Sequence, residues 1–319
     1  MKILVTGANG MLGSSMVPTL AAAGHTVFPT DLRVPDERPW GPHGPRLGKM
    51  DVRVRAEIAE HFARIQPDFV VHLAAETILE TCEDAPELAY ATNALGTKHI
   101  AIACQAAGIE MAYVSTAGVF DGEKKEPYIE YDQPNPINVY GASKLQGERY
   151  VQTFMQRYYI VRAGWMVGGG EKDHKFVAKI VDQIRSGRRQ VFAVGDRLGT
   201  PTYAPDFSKC FARLITTGSY GLYHMACQGR ASRYDVAKKI LEVLGRADDI
   251  ELIEVDSDFF LDTYPAPRPR SETMRNLLLD LQDWNTMRPW QEAIEEYLHV
   301  AFADLNVTVG EELVQGVAV

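Results

Sequence analysis

The sequence predicts an α/β fold: a doubly wound parallel sheet followed by a smaller C-terminal α/β lobe. Three observations predict it. Through the first half, short apolar runs alternate with amphipathic stretches at crossover spacing, which is the pattern of a parallel sheet with helices on both faces. A glycine-rich turn joins the first apolar run to the first helical stretch. After Trp165 the alternation loosens, so the expected division is 1–165 for the sheet domain and 166–319 mainly for the smaller lobe, with some later elements returning to the first.

The elements follow in order. Lys2–Thr6 is an apolar run ending at glycine, a buried parallel strand. Residues 11–23 have helical spacing and stop at Gly24. Residues 26–30 form a second strand ending at Asp31, and 33–49, rich in Pro and Gly, read as a loop. A helix over 56–65 stops at Pro67, and 69–73 is the third strand. A long helix over 87–107 closes at Gly108, followed by a strand at 111–115, a helix over 140–158 and a strand at 159–163. In the second half, helices are expected over 174–186, 205–216, 233–244 and 290–302, and strands at 190–194, 221–225 and 250–255. A proline-rich stretch occupies 264–269, and the tail 306–319 carries weak signals.

Composition narrows the partners. The net charge is -9, which repels a phosphate backbone, and the short basic group Arg185, Arg188 and Arg189 reads as a solvated helix end, so no nucleic-acid partner is expected. Cys82, Cys104, Cys210 and Cys227 form no close pair, which points to free thiols in a reducing compartment and to no metal site. A strand pattern begins at Met1 without a signal peptide, and no apolar run approaches the roughly 18 residues of a membrane helix. The expected location is the cytoplasm, with no membrane partner.

The turn Gly7-Ala8-Asn9-Gly10-Met11-Leu12-Gly13 stands between strand and helix, the context that gives a glycine pattern meaning. Gly7 lets the chain turn, Gly10 lets backbone approach a pyrophosphate, and Gly13 lets helix and strand pack closely. The helix N-terminus offers free N–H groups to the phosphates. This is the phosphate turn of a Rossmann-type sheet, spaced G-x-x-G-x-x-G rather than G-x-G-x-x-G. Asp31, at the end of the second strand, can accept hydrogen bonds from the adenosine ribose, whereas Arg33 can attract the extra phosphate of NADP; the cofactor is NAD or NADP. Asp51 and Val52 are placed to border the adenine.

Ser115-Thr116 closes the fourth strand, and Tyr140-Gly141-Ala142-Ser143-Lys144 opens the helix after it. Residues four apart share a helix face, so Tyr140 and Lys144 can point together into the cleft at the carboxyl ends of the strands. Carbonyl reduction needs a proton donor at oxygen. A phenol is poorly suited at neutral pH unless a nearby ammonium lowers its pKa, which is the role expected of Lys144. The Thr116 hydroxyl can hold the same carbonyl oxygen. His72 and His224, flanked by apolar strand residues, read as core histidines. His174 reads as a helix start near the substrate.

With these motifs in hand, the chain resembles the extended short-chain dehydrogenase/reductase family and, more narrowly, its dTDP-4-dehydrorhamnose reductase branch. The likeness runs to about Leu298 through MKILVTGANGMLG at Met1, STAGVFDG at Ser115, PNPINVYGASKLQGE at Pro134, RAGWMVGG at Arg162, GTPTYAPDF at Gly199, GLYHMA at Gly221 and APRPRS at Ala266. The first and third are general to extended members; the later ones belong more to this branch. The resemblance implies Thr116, Tyr140 and Lys144 as the catalytic set. It implies cofactor contacts at Gly7, Gly10, Asp31, Asp51, Ala74, Ala75 and Asn93, to which Met11, Leu12, Gly13, Arg33, Val52 and Leu73 are added as neighbours. Trp165 is implied to line the sugar site with its aromatic face. Arg268 and Arg270 could neutralise a substrate diphosphate or be plain loop charges.

The implied activity is NAD(P)H-dependent reduction of the 4-keto group of a nucleotide-linked deoxysugar, as in dTDP-rhamnose biosynthesis, by an enzyme that is often a homodimer. An NAD-dependent nucleotide-sugar epimerase and a non-catalytic, cofactor-binding regulatory subunit are the alternatives. One departure stands out: the branch usually reads Ser-Thr-Asp-Tyr-Val-Phe, and here Ala117 and Gly118 replace the acid and the aromatic. Both positions are expected near the sugar, so the pocket should be larger and less polar, leaving sugar and nucleotide open. The absence of a carboxylate after Thr116 weighs against a sugar 4,6-dehydratase.

Overall fold

A computed structural model describes residues 1–35, 39–41 and 43–305; the tail 306–319 lies outside the described residues. The chain begins β1 (Lys2–Thr6), α1 (Met11–Ala22), β2 (Thr26–Asp31), β3 (Gly48–Lys49), α2 (Arg55–Ile65) and β4 (Phe69–His72). Then come α3 (Leu79–Asp84), α4 (Pro86–Ala89), a π-helical turn (Tyr90–Gly96), α5 (Thr97–Ala107), β5 (Glu110–Thr116), α6 (Val139–Phe154), β6 (Tyr158–Ala163) and β7 (Trp165–Val167). The second half holds α7 (Phe176–Arg185), β8 (Gln190–Val194), β9 (Leu198–Gly199), β10 (Pro201–Tyr203), α8 (Ala204–Leu214), β11 (Gly221–Met225), β12 (Ala231–Ser232), α9 (Arg233–Val243), β13 (Glu251–Val255), β14 (Ser271–Glu272), α10 (Leu277–Leu281) and α11 (Trp290–Ala301).

The main sheet is a seven-stranded α/β sheet in the order β11-β6-β5-β4-β1-β2-β3, and every neighbouring pair in it is parallel. Period-two side-chain direction puts Ile3 and Val5 into one core with Met16, Val17 and Leu20 of α1, and Leu4 into the other with Ile100 and Cys104 of α5 and Val151 of α6. Both faces are covered, which is why β1 reads as an unbroken apolar run. Strand order reverses between β1 and β4, so the crevice beyond their carboxyl ends is the topological switch point where α/β sheets bind ligands.

Chain order and spatial order part company in the second half. β11 returns as the edge strand beside β6, and α8 packs on α1. The smaller lobe keeps the parallel pair β8–β13 with α7 and α9, and a short sheet of β12, β9 and β14. Trp165, Arg233 and Glu272 meet there, with Glu272 close to Gly118 at the end of β5.

Some expected elements shift. The helix expected to run to 158 ends at Phe154, because Met155 is extended (φ −112°, ψ 140°) and Tyr158 already pairs in the sheet. The loop 33–49 ends in the two-residue strand β3, paired to β2. The short helices α3 and α10 and the strands β7 and β10 were not legible, being too short to show periodicity.

Candidate active site

The phosphate turn forms as its glycines require. Gly7 has φ +67°, and a Cβ there would lie 2.5 Å from the Ala74 nitrogen and 2.8 Å from the Leu73 carbonyl carbon. That contact joins β1 to the end of β4 at the switch point, so Leu73, Ala74 and the glycine turn share one crevice. A Cβ on Gly13 would overlap the Ala8 carbonyl, so close helix–strand packing depends on it. Gly10 caps α1 with no side-chain bond, and the first turn holds no acidic residue. The N–H groups of a twelve-residue helix, which begins at Met11 and Leu12, thus stay available to an anion, and the cradle fits a dinucleotide diphosphate.

Asp31 is built into this turn. Its carboxylate accepts from the Asn9 N–H (3.0 Å) and from the Arg33 N–H (3.0 Å). The Asn9 amide oxygen accepts from Lys172 Nζ at 2.8 Å, so the smaller lobe reaches over the turn and brings a cation with it. Lys172 was missed in the sequence, since no local pattern ties residue 172 to residue 9. Asp51 is chelated by Arg53, whose guanidinium holds its carboxyl below the usual range. Val52 is buried under Gly96, where a Cβ would come within 2.8 Å of it. Asn93 is fully buried, accepting from the Glu76 N–H (2.8 Å) and donating to the Glu76 carbonyl and Ser143 Oγ. Its amide fixes the segment after Ala75 and so shapes the crevice wall.

Thr116, Tyr140 and Lys144 come together through glycines. Asn138 caps α6 by accepting from the Gly141 N–H at 2.8 Å, which fixes where the helix starts. A Cβ on Gly141 would overlap the Gly118 carbonyl, so α6 can press against the 116–118 turn only with glycine there. A Cβ placed on Gly118 would lie 3.4 Å from Thr116 Oγ1 and 3.6 Å from the Tyr140 ring. The Thr116 hydroxyl is near enough to the Tyr140 phenol to favour its ionised form, and the Thr116 oxygen accepts from the Gly118 N–H at 3.1 Å. Lys144 is buried, 4.1 Å above the Tyr113 ring, donating to the Val114 carbonyl at 2.8 Å.

The electrostatics differ from expectation. Burial pushes the Tyr140 phenol up to about 12, with Glu272 adding to the rise and the Thr116 hydroxyl opposing it. Burial also lowers the Lys144 ammonium to about 7, against the pull of Glu148. Desolvation sets the direction of the phenol's shift, and the expected lowering by the Lys144 ammonium is absent. Behind Lys144, Glu148 forms a buried bidentate pair with Arg162 (2.9 and 2.7 Å) and accepts from Ser115 Oγ.

The sugar side also departs from the sequence reading. Trp165 is partly buried: the backbone of Gly199 lies close against its ring, and the Arg233 guanidinium stacks on it at 3.8 Å. Its indole N–H donates to Glu272 Oε2 at 2.7 Å. Ala117 is buried among Phe120, Tyr128 and Leu145, so it does not face the sugar. The space beside Gly118 is not an apolar void, because Glu272 Oε1 lies 3.5 Å from where its Cβ would be. A carboxylate therefore does stand near Gly118, delivered from β14 and not from the residues that follow Thr116. Arg268 is paired with Glu80 at 2.6 Å and donates to the Ala266 carbonyl, so its charge is already met. Arg233 and Lys175, unmarked by any motif, are the cations that Glu272 feels along with Arg268.

The histidines stay out of the chemistry. His72 is buried between Thr6 Oγ1 (2.7 Å) and Thr97 Oγ1 (3.0 Å), and burial lowers it to about 3. His224 is buried in β11 and lowered likewise. His174 is exposed and precedes α7 instead of starting it. All four cysteines are buried free thiols. No described helix is long and apolar enough to cross a membrane.

Known proteins share this architecture. The family model for the RmlD substrate binding domain matches residues 1–302. The dTDP-4-dehydrorhamnose reductase of Mycolicibacterium smegmatis is 31% identical over 297 residues, covering 92% of this chain and 84% of that protein. A crystal structure of a dTDP-4-dehydrorhamnose reductase from Clostridium acetobutylicum superposes with a TM-score of 0.83 at 34% identity, covering 93% of this chain and 98% of that one. The Bacillus anthracis dTDP-4-dehydrorhamnose reductase, solved in complex with NADP, gives 0.82 at 30% identity with the same coverage. Matched along nearly its whole described length, the chain belongs to the RmlD substrate binding domain family, within the extended short-chain dehydrogenases/reductases.

Proposed function

We propose that this protein reduces the 4-keto group of a dTDP-linked 6-deoxy sugar with NAD(P)H, the activity for which its relatives are named. The observation that carries the reading is the convergence of Thr116 and Tyr140 at Gly118, with Lys144 one turn along the same helix. In this reading Gly7, Gly10, Met11, Leu12 and Gly13 hold the diphosphate, Asp31 and Arg33 meet the adenosine ribose, and Asp51 and Val52 border the adenine. Leu73, Ala74 and Ala75 line the crevice, and Asn93 supports it. A bound NAD(P)H supplies the hydride that the keto carbon receives.

Tyr140 gives the proton that the carbonyl oxygen takes up. A phenol raised to about 12 is protonated at neutral pH, which is the form a reduction starts from. Thr116 holds the same oxygen in line. Once Tyr140 has lost its proton, the Thr116 hydroxyl and the Lys144 ammonium stabilise the phenolate. Lys144 also binds the nicotinamide ribose. Trp165 contributes its edge and its hold on Glu272, and Arg268 clamps the proline-rich segment over the site through Glu80.

We place the enzyme in the cytoplasm, acting on a nucleotide sugar as a homodimer and without nucleic acid. The test is direct. Purified protein should oxidise NADH or NADPH only when a dTDP-linked 4-keto-6-deoxy sugar is added. Silence with dTDP-, GDP- and UDP-linked keto sugars alike would overturn the proposal.

A further inference from the structure

We infer that Glu272 selects the sugar: its free carboxylate oxygen accepts a hydrogen bond from a hydroxyl on the carbon next to the reacting keto group. The inference rests on the reduction proposed above, since that reaction fixes where the keto group lies.

Three features position this carboxylate. Glu272 sits on β14 in register with Gly199 of β9. Gly199 is the residue that backs the Trp165 ring, so strand pairing and the indole set the height of the side chain together. One oxygen is then tied down, Oε2 accepting from Trp165 Nε1 at 2.7 Å. The other, Oε1, accepts no hydrogen bond among the described residues. It points to the space over Gly118, whose absent Cβ would lie 3.5 Å from it, 3.4 Å from Thr116 Oγ1 and 3.6 Å from the Tyr140 ring. A tethered carboxylate with one free oxygen is a rigid acceptor, and it stands across Gly118 from Thr116 Oγ1 and the Tyr140 ring.

Charge favours the same role. Burial raises the Glu272 carboxyl, but the Trp165 bond and the charges of Arg233, Arg268 and Lys175 oppose that rise. No cation closes to ion-pair distance among the described residues, so the free oxygen keeps its capacity for a neutral donor. A sugar carbon next to a ketone commonly carries a hydroxyl, and a carboxyl oxygen left without a partner can accept from it. Gly118 is the counterpart of this arrangement: any larger side chain there would enter the space between Glu272 and Tyr140.

The test compares two dTDP-linked 4-keto-6-deoxy sugars, one with the C3 hydroxyl and one 3-deoxy, in the full chain and in Glu272→Ala. Removing this acceptor should lower kcat/KM for the hydroxyl-bearing sugar by about tenfold to a hundredfold, with less than about a threefold change for the 3-deoxy sugar. The orphaned Trp165 indole would disturb both sugars alike, so it cancels in the ratio. Calorimetric Kd values for the matching reduced sugars supply a readout independent of turnover. Equal losses for the two sugars, or none, would overturn the inference. So would deuterium uptake from solvent beside the ketone, without NAD(P)H, in wild type but not in Glu272→Ala, because Glu272 would then be a base. A wild-type chain that prefers the hydroxyl in binding yet oxidises no NAD(P)H would remove the reduction and leave the selection by Glu272 standing.

Discussion

Replacing Gly141 with alanine should separate chemistry from cofactor binding. The added Cβ would overlap the Gly118 carbonyl oxygen and stand 2.9 Å from its carbon and 3.0 Å from Pro136 Cβ. Ordinary contact begins at 3.4 Å, so clearing the carbonyl oxygen requires α6 and the 116–118 turn to part by about 1 Å or more. Tyr140 is the residue before Gly141 and moves with the helix, whereas Thr116 moves with the turn. A misplacement approaching 1 Å can cost about 100-fold in rate, so kcat should fall about 10- to 100-fold. The glycine turn at 7–13 lies on another strand, so the Kd for NAD(P)H should stay within about threefold. Overpacking should also destabilise the fold by about 1–3 kcal/mol, partly offset by the better helix propensity of alanine. Steady-state kinetics, cofactor titration by fluorescence and thermal melting read the three quantities. A variant with wild-type kcat and unchanged Tm would refute the reasoning, since it would mean the α6–turn contact is neither tight nor needed.

Other expectations follow from the same geometry. Tyr140→Phe should lower kcat at least about 100-fold with cofactor binding nearly intact; an unchanged rate would remove Tyr140 from its role. Because burial lowers Lys144 to about 7, its ammonium is lost as pH rises through that value, so kcat/KM should fall on the alkaline side of about pH 7. A profile flat from pH 6 to 9 would contradict a charged lysine in the free enzyme. Arg162→Met leaves Glu148 buried without its partner and should cost about 3–5 kcal/mol in urea unfolding, with a loss below 1 kcal/mol counting against the buried pair. Lys172→Met should weaken NAD(P)H binding several-fold without altering Tm by more than a few degrees; equal Kd values would show that Lys172 only braces Asn9.

The sequence by itself determined the parts whose signals are local. The apolar run at 2–6, the glycine spacing at 7–13 and the Tyr140–Lys144 interval each sit inside one strand, turn or helix, where short-range sterics and periodicity act. They were enough to fix the parallel sheet, the dinucleotide crevice and the family. The tertiary structure alone decided what crosses between segments. It paired β11 with β6 and packed α8 on α1, brought Lys172 over Asn9, stacked Arg233 on Trp165 and set Arg268 against Glu80. It also supplied, from residue 272, the carboxylate that residues 117 and 118 lack. The physical reason is that each of these contacts joins residues far apart in the chain, where no periodicity links them. The shifts of Tyr140 and Lys144 belong with them, because burial is a property of the assembled cleft and it raises the phenol and lowers the ammonium.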